Sequence, residues 1–405
     1  HADSSPPVAN MLSANDALLV TTLGGQVLIE KNASLKSVPA STLKLLTALA
    51  AFHYLGPSYR FQTAIHLDAR GDLKIKGYGD PLLISEVWEH IARALASRIR
   101  VCNDVVVDDS YFSQDVHIPG AGNSTNPYDA PIGALCANFN TVFFETTPAG
   151  KIVSAEPQTP ITPLALAKVR RLGLHKGRVS FSHNGDEIAR YAGEVLSYFL
   201  RARGVVVTGR IRQGRIRSTD RLIYSYRSPF TLKEAVRKML KYSNNFMANQ
   251  ITVALGAHVS GPPGTLEKGV AALSRYAATV LHLDDIQIVE GSGISRDNRL
   301  TAQDMLVVLQ AFAPYRDLLT RKGPVLFKSG TLAGIRTRAG YIAHPKRGPC
   351  PFVLFLRGTQ DIKVVLKCLV NEIKDCQIKD PTAAQDPVPH HSPANYAPIG
   401  TSANK

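Results

Sequence analysis

Three short runs carry side chains that could do chemistry together. The first is Ser41-Thr42-Leu43-Lys44, at the head of the apolar run LLTALAAF. Residues three apart on a helix share a face, so Ser41 and Lys44 project together. Pro39 suits an extended entry to that helix. A lysine in the first turn is opposed by the positive end of the helix dipole. That opposition, added to burial, lowers the amine's pKa and favours its neutral form. A neutral lysine beside a serine can take the hydroxyl proton and make the oxygen a nucleophile. Alone, the pattern is weak. A helix cap and a surface lysine are the plainer reading of it, and Ser402-Ala403-Asn404-Lys405 repeats the spacing in a polar tail.

The second run is Lys241-Tyr242-Ser243-Asn244-Asn245, inside an amphipathic segment from Thr231 to Leu255. Ser and Asn side chains compete for backbone hydrogen bonds and disfavour a helix interior. The run therefore reads as a helix boundary or kink, or as a short turn presenting Ser243 and Asn245 on one side. Ser-x-Asn also begins at Ser13, Ser124, Ser182 and Ser402, but only the one at Ser243 has an apolar helical context. The third run, Val325 to Leu332, is VLFKSGTL, an apolar strand leading into Lys328-Ser329-Gly330. A strand glycine lets another chain approach closely. A lysine and a hydroxyl there can hold a carboxylate; the plainer reading is a solvated strand end.

These runs need elements to position them. Residues 17 to 30 read as two strands around Gly24-Gly25, and the helix after Pro39 closes at Gly56-Pro57. From about 61 to 225 the texture changes to short β-rich runs among turn residues, with helical pieces at 84–99 and 187–202. Helical periodicity returns at 231–255, 266–281 and 302–312. Two apolar strands follow, at 337–343 and 352–358, then a helix at 361–376. The tail from Pro381 is rich in Pro, Ser and Ala and reads as disordered.

The bulk numbers exclude some functions. The chain has 405 residues, 44% hydrophobic and 20% charged, which suits a folded protein of more than one lobe. No run approaches the roughly 18 apolar residues that span a bilayer. A net charge of +15 favours polyanionic surroundings. The densest basic group, Arg210 to Arg217, alternates with apolar or small residues and reads as a strand with a solvated basic face. No nucleic-acid signature accompanies it. Cys102, Cys136, Cys350, Cys368 and Cys376 form no CxxC, and the twelve histidines form no HExxH, which argues against a metal enzyme. No GxSxG elbow points to a Ser-His-Asp hydrolase.

S-x-x-K, S-x-N and K-S-G, in that order, form the motif set of penicillin-binding proteins and class A β-lactamases. The sequence resembles the D-alanyl-D-alanine carboxypeptidases of peptidase family S13, the low-molecular-mass class C penicillin-binding proteins. Pro39 to Thr63 is similar to that family's nucleophile block, and Lys241 to Asn249 to its SNN block. Glu290 to Thr301, EGSGISRDNRLT, is similar to a block that β-lactamases lack. Asp108 to Phe112 and Ala130 to Ala134 resemble its inserted region. The likeness covers most of residues 17 to 370.

The resemblance implies an α+β fold of the serine β-lactamase/DD-peptidase type, with an antiparallel sheet flanked by helices. It implies a discontinuous catalytic domain (1–65 and 226–380), an inserted β-rich domain (66–225) and a tail (381–405). It implies roles: Ser41 as nucleophile, Lys44 as general base, Ser243 as proton relay and Asn245 as a substrate-positioning group. Lys328 supplies positive potential, and Ser329 with Gly330 and Thr331 binds substrate. The N–H groups of Ser41 and Thr331 form the oxyanion hole. Arg296 pairs with a stem-peptide carboxylate or bonds loop carbonyls. The implied substrate is a peptidoglycan stem peptide ending in D-Ala-D-Ala, with endopeptidase cleavage of cross-links as a related activity. β-Lactams are implied as covalent inhibitors. No metal, cofactor or nucleic acid is implied, and the location is periplasmic or extracellular, with anionic envelope surfaces nearby. The alternatives are a β-lactamase on the same fold and a non-catalytic wall-binding homologue. Two departures stand out: Ser329 replaces the commoner threonine, and the chain is short in the insertion and between Arg296 and Lys328.

Overall fold

The computed structural model describes residues 7–114 and 116–375. The tail from Pro381, the second S-x-x-K match and Cys376 lie outside the described residues. The chain opens with β1 (Ala17–Thr21) and β2 (Val27–Lys31), joined through Gly25 at φ 87°. A 3₁₀ turn (Ala40–Leu43) runs into α1 (Lys44–Leu55), and Gly56 ends the helix at φ 84°. The middle third holds β3 (Gln62–Leu67), β4 (Leu73–Gly77), α2 (Ser85–Ala96), β5 (Val101–Cys102) and β6 (Val105–Asp108). It continues through β7 (Thr141–Thr146), β8 (Ile152–Ser154), α3 (Pro163–Arg170), β9 (Lys176–Ser180) and α4 (Gly185–Ala202). Three short strands close it: β10 (Val206–Val207), β11 (Ile211–Gln213) and β12 (Arg221–Arg227). Helices α5 (Leu232–Tyr242), α6 (Asn245–Ser260), α7 (Leu266–Val280) and α8 (Ala302–Phe312) follow. The described chain ends with β13 (Thr320–Lys322), β14 (Val325–Leu332), β15 (Ile335–His344), β16 (Gly348–Arg357) and α9 (Ile362–Asp375).

Among the described residues, one antiparallel sheet runs β13-β14-β15-β16-β1-β2. Its two faces are both buried, which is why PFVLFL reads as an unbroken apolar run. Successive side chains of β16 alternate between cores. Val353 and Phe355 join the cluster that contains α1, α6 and α8, while Phe352, Leu354 and Leu356 join the one with α9. The N-terminal strand thus lies between the last strand and β2, with Ala17 opposite Phe355.

A second sheet runs β11-β6-β4-β3-β12, and a third β8-β7-β9. Strands β3 and β12 pair with Gln62 opposite Arg227, so the chain enters and leaves this region side by side. The basic run is largely solvated, as the sequence suggested, with Arg210 exposed and Arg212 drawn in, although the strand covers only Ile211–Gln213. Arg212 on β11 bonds Asp104 (2.6 Å) and Asp72 (2.8 Å), while Arg215 and Arg217 are exposed.

The segment 231–255 is not one amphipathic helix. It breaks at Ser243, which takes a left-handed conformation (φ 51°, ψ 40°). Asn244 then caps α6, its Oδ1 accepting from Met247 N at 2.9 Å. The polar pair supplies the side-chain acceptor that the new helix start lacks. Helix α5 keeps a solvated face, whereas α6 is buried from Phe246 to Ala257.

Candidate active site

The site is assembled where four pieces meet: the 3₁₀ turn before α1, the Ser243 break, the Glu290–Ser295 loop and the open stretch of β14. Strand β13 covers β14 only as far as Phe327, which leaves Lys328 to Leu332 as a sheet edge. Close packing joins the pieces. A Cβ on Gly330 would stand 2.8 Å from Ser41 N and 2.2 Å from Thr337 Oγ1. A Cβ on Gly293 would fall 1.8 Å from the Ala40 carbonyl oxygen. Ala40 itself is held at φ 48°, a left-handed position that costs an L-residue about 1–2 kcal/mol. Thr337 Oγ1 donates to Pro39 O (2.8 Å), which holds the entry to the turn, and Thr47 Oγ1 to Gly291 O (2.7 Å), which ties α1 to the Glu290–Ser295 loop.

Ser41 does not stand at a helix N-cap, since Pro39 precedes the 3₁₀ turn and Leu43 precedes α1. Its Oγ lies 2.9 Å from Lys44 Nζ. Lys44 is wholly buried, and its Nζ also contacts Asn245 Oδ1 (2.8 Å) and Ser292 O (2.6 Å). Burial, and then the charge of Lys328, push the Lys44 amine well below the usual lysine range; Glu290 acts the other way. The direction agrees with the lowering expected from the sequence, and burial is its leading cause.

Lys328 Nζ donates to Ser243 Oγ (2.8 Å) and Ser329 O (2.6 Å). Burial and the Arg338 guanidinium push its pKa down to about 7. Ser41, Ser243, Asn245, Ser329, Thr331 and Arg296 line a cleft of about 840 Å³, while Lys44 and Lys328 lie beneath its floor. Arg296 Nη2 donates to Ala333 O (2.5 Å) from an exposed position on the cleft wall, so it bonds a loop carbonyl and faces the cleft at once. The opposite wall comes from the middle third, through Gly120, Gly122, Tyr128 and Asp129.

A sequence profile described as the D-Ala-D-Ala carboxypeptidase 3 (S13) family matches residues 9–321. The chain belongs to that family. A D-alanyl-D-alanine carboxypeptidase of Actinomadura sp. (strain R39) is 25% identical over 410 residues, spanning 82% of this chain and 76% of its own. Penicillin binding protein 4 (dacB) from Haemophilus influenzae has a similar fold, with a TM-score of 0.73 at 22% identity. The match covers 91% of this chain and 98% of that one. The same protein complexed with a β-lactam gives 0.68 at 21% identity, over 91% and 97% of the two chains. The α+β penicillin-binding-protein fold expected from the motifs is therefore present in this S13 chain.

The reading of the sequence gave no role to Glu290, which organises the whole S13 loop that follows it. Its buried carboxylate accepts from Ser292 N and Oγ (both 2.6 Å), Gly293 N (2.7 Å), Ser295 N (3.3 Å) and Asn298 Nδ2 (2.7 Å). An acid directly ahead of Gly-Ser-Gly was the available signal, because such a loop turns several N–H groups inward. The Ser292 carbonyl that receives Lys44 left no signal at all, since backbone oxygens are common to every residue.

Proposed function

We propose that Ser41 is the nucleophile through which this S13 serine peptidase releases D-alanine from peptidoglycan stem peptides ending in D-Ala-D-Ala. The carrying observation is the environment of Lys44 Nζ. Two of its three neighbours, Asn245 Oδ1 and Ser292 O, are carbonyl oxygens that accept only. A neutral amine gives them its two N–H bonds and turns its lone pair to Ser41 Oγ, 2.9 Å away. The amine is then placed to take the hydroxyl proton as Oγ attacks the carbonyl of the penultimate D-alanine.

The tetrahedral oxyanion is met by the N–H groups of Ser41 and Thr331. The C–N bond then breaks, and the leaving amine takes its proton by way of Ser243, which Lys328 holds by hydrogen bond. Water hydrolyses the Ser41 ester and regenerates the enzyme. Asn245 positions the substrate amide. Ser329, beside Gly330, takes the terminal carboxylate, and Arg296 reaches a stem carboxylate further along. The substrate places the enzyme outside the cytoplasmic membrane, in periplasm or medium, and the +15 charge suits an anionic envelope. β-Lactams acylate the same serine; the related protein of H. influenzae is known complexed with one.

A class A β-lactamase uses a glutamate to activate water beside the acyl group. Glu290 does not serve, because it is fully buried and committed to its own loop. Mass spectrometry of a penicillin digest locates the adduct on Ser41, and D-alanine is released from a stem pentapeptide. Both disappear in Ser41→Ala. Labelling or release that persists in that variant would sink the assignment.

A further inference from the structure

The run Tyr242–Asn245 alternates between two cavities. Ser243 and Asn245 line the catalytic cleft, while Tyr242 and Asn244 line a second cavity of about 540 Å³. That volume lies within the range of small-ligand sites. Its walls come from two parts of the chain, α5–α6 with the segment before them, and the middle third. Three aromatic rings border it: Phe139, Phe230 and Tyr242.

Phe139 is held there against its own preference. Asn138, Phe139 and Asn140 have φ values of 50°, 60° and 53°, three consecutive left-handed residues. Asparagine visits that region readily, and a bulky phenylalanine does not. The asparagines fix the turn from inside the protein. Asn138 Oδ1 accepts from Ser85 N (2.8 Å), and Asn140 Nδ2 donates to Pro131 O (2.9 Å). A corner alone would be served by glycine. With phenylalanine, the turn presents a half-buried ring at the cavity, edge-on to Phe246 at 6.0 Å. Strained backbone of this kind concentrates at ligand sites.

The charges of the lining cancel: Lys238 and Arg178 stand against Glu86 and Glu156, and Arg178 and Glu156 already pair with each other. Gln158, Thr159 and Asn244 add neutral polar groups. Rings, amides and a balanced charge suit a neutral, hydroxyl- and amide-bearing ligand with one apolar face, and give an anionic polymer no net attraction.

We propose that this cavity binds a neutral N-acetylated sugar of the glycan strand that carries the stem peptide. The proposal rests on the peptidase reading of Ser41. The muramyl lactyl group is amide-linked in such a strand and carries no charge there. A five-residue stem reaches about 17 Å when extended, and the two cavities share one wall, the four consecutive residues Tyr242–Asn245.

The test compares D-alanine release from a free stem pentapeptide and from the same pentapeptide on its N-acetylglucosaminyl-N-acetylmuramyl disaccharide. The wild-type protein should show a KM about tenfold lower for the disaccharide form. Phe139→Gly removes the ring while tolerating the left-handed turn, and Gln158→Ala alters an exposed side chain. Both should erase the difference while leaving the free peptide's kinetics and penicillin labelling unchanged. Equal KM values in the wild type, or equal losses on both substrates in the variants, would overturn the sugar site and leave the peptidase intact. No release from either substrate would overturn both.

Discussion

Two buried lysines with opposite tasks sit beneath one cleft. In the proposed mechanism Lys44 works when neutral and Lys328 when charged, so the rate of acylation should pass through a maximum with pH. Protonation of Lys44, lowered from the usual lysine range by burial, would close the acid side in that mechanism, and loss of the Lys328 proton, at about 7, the alkaline side. Arg338 is the second cause of the Lys328 shift, after burial. Arg338→Gln should therefore move the alkaline limb of kcat/KM above 7, and an unmoved limb would show that Lys328 does not set it. Lys44→Ala should slow penicillin acylation by about 10²–10⁴-fold, the usual worth of a positioned base. Stopped-flow labelling would check it. Glu290→Gln turns an acceptor of several N–H groups into a group that also donates. It should cost on the order of 2–3 kcal/mol, read as a lower urea midpoint.

At the scale of elements, the turn that carries Ser41 is placed by glycines as much as by helix α1. Gly293 stands at φ 82° against the Ala40 carbonyl. In Gly293→Ala the added methyl group meets both an unfavourable backbone conformation and a backbone oxygen. Acylation should drop by more than tenfold in protein whose circular dichroism is unchanged. Retained acylation would mean that the turn before α1 does not need the Glu290 loop to hold it. The same elements explain what could be read in advance. Strands β15 and β16 and helices α7, α8 and α9 were legible because apolar periodicity follows directly from burial. The pairing of Ser41 with Lys44 was visible as a spacing. Its partners were not: Asn245 could be placed beside them only by motif order, and the Ser292 carbonyl only by coordinates. The break at Ser243 was ambiguous, because a Ser-Asn-Asn run describes a kink, a cap and a displayed turn equally well. The Phe139 turn escaped notice because local sequence gives phenylalanine no left-handed preference.

On the scale of the whole molecule, burying two lysines affects stability as well as rate. Both favour the neutral amine in the fold, so the unfolded chain binds more protons from about pH 7 up to the ordinary lysine range near 10.5. Stability contributed by this difference rises with pH across that window, by at most about 1.4 kcal/mol per unit for each lysine. Lys328→Met should flatten the rise, measured as the wild-type minus variant difference in unfolding free energy; parallel curves would contradict the lowered pKa of Lys328. The sheet order has a further consequence, in time rather than energy. Strand β1 forms its ladder with β16, so residues 17–20 wait for residues 352–355 to be synthesised before they can pair. Ser41 and Lys44 emerge early, yet the sheet that backs them cannot close until nearly the whole chain is available. Such distant pairings fold slowly. A ribosome-bound chain should therefore carry Ser41 through most of synthesis without reacting with penicillin, and become reactive only after β16 is released.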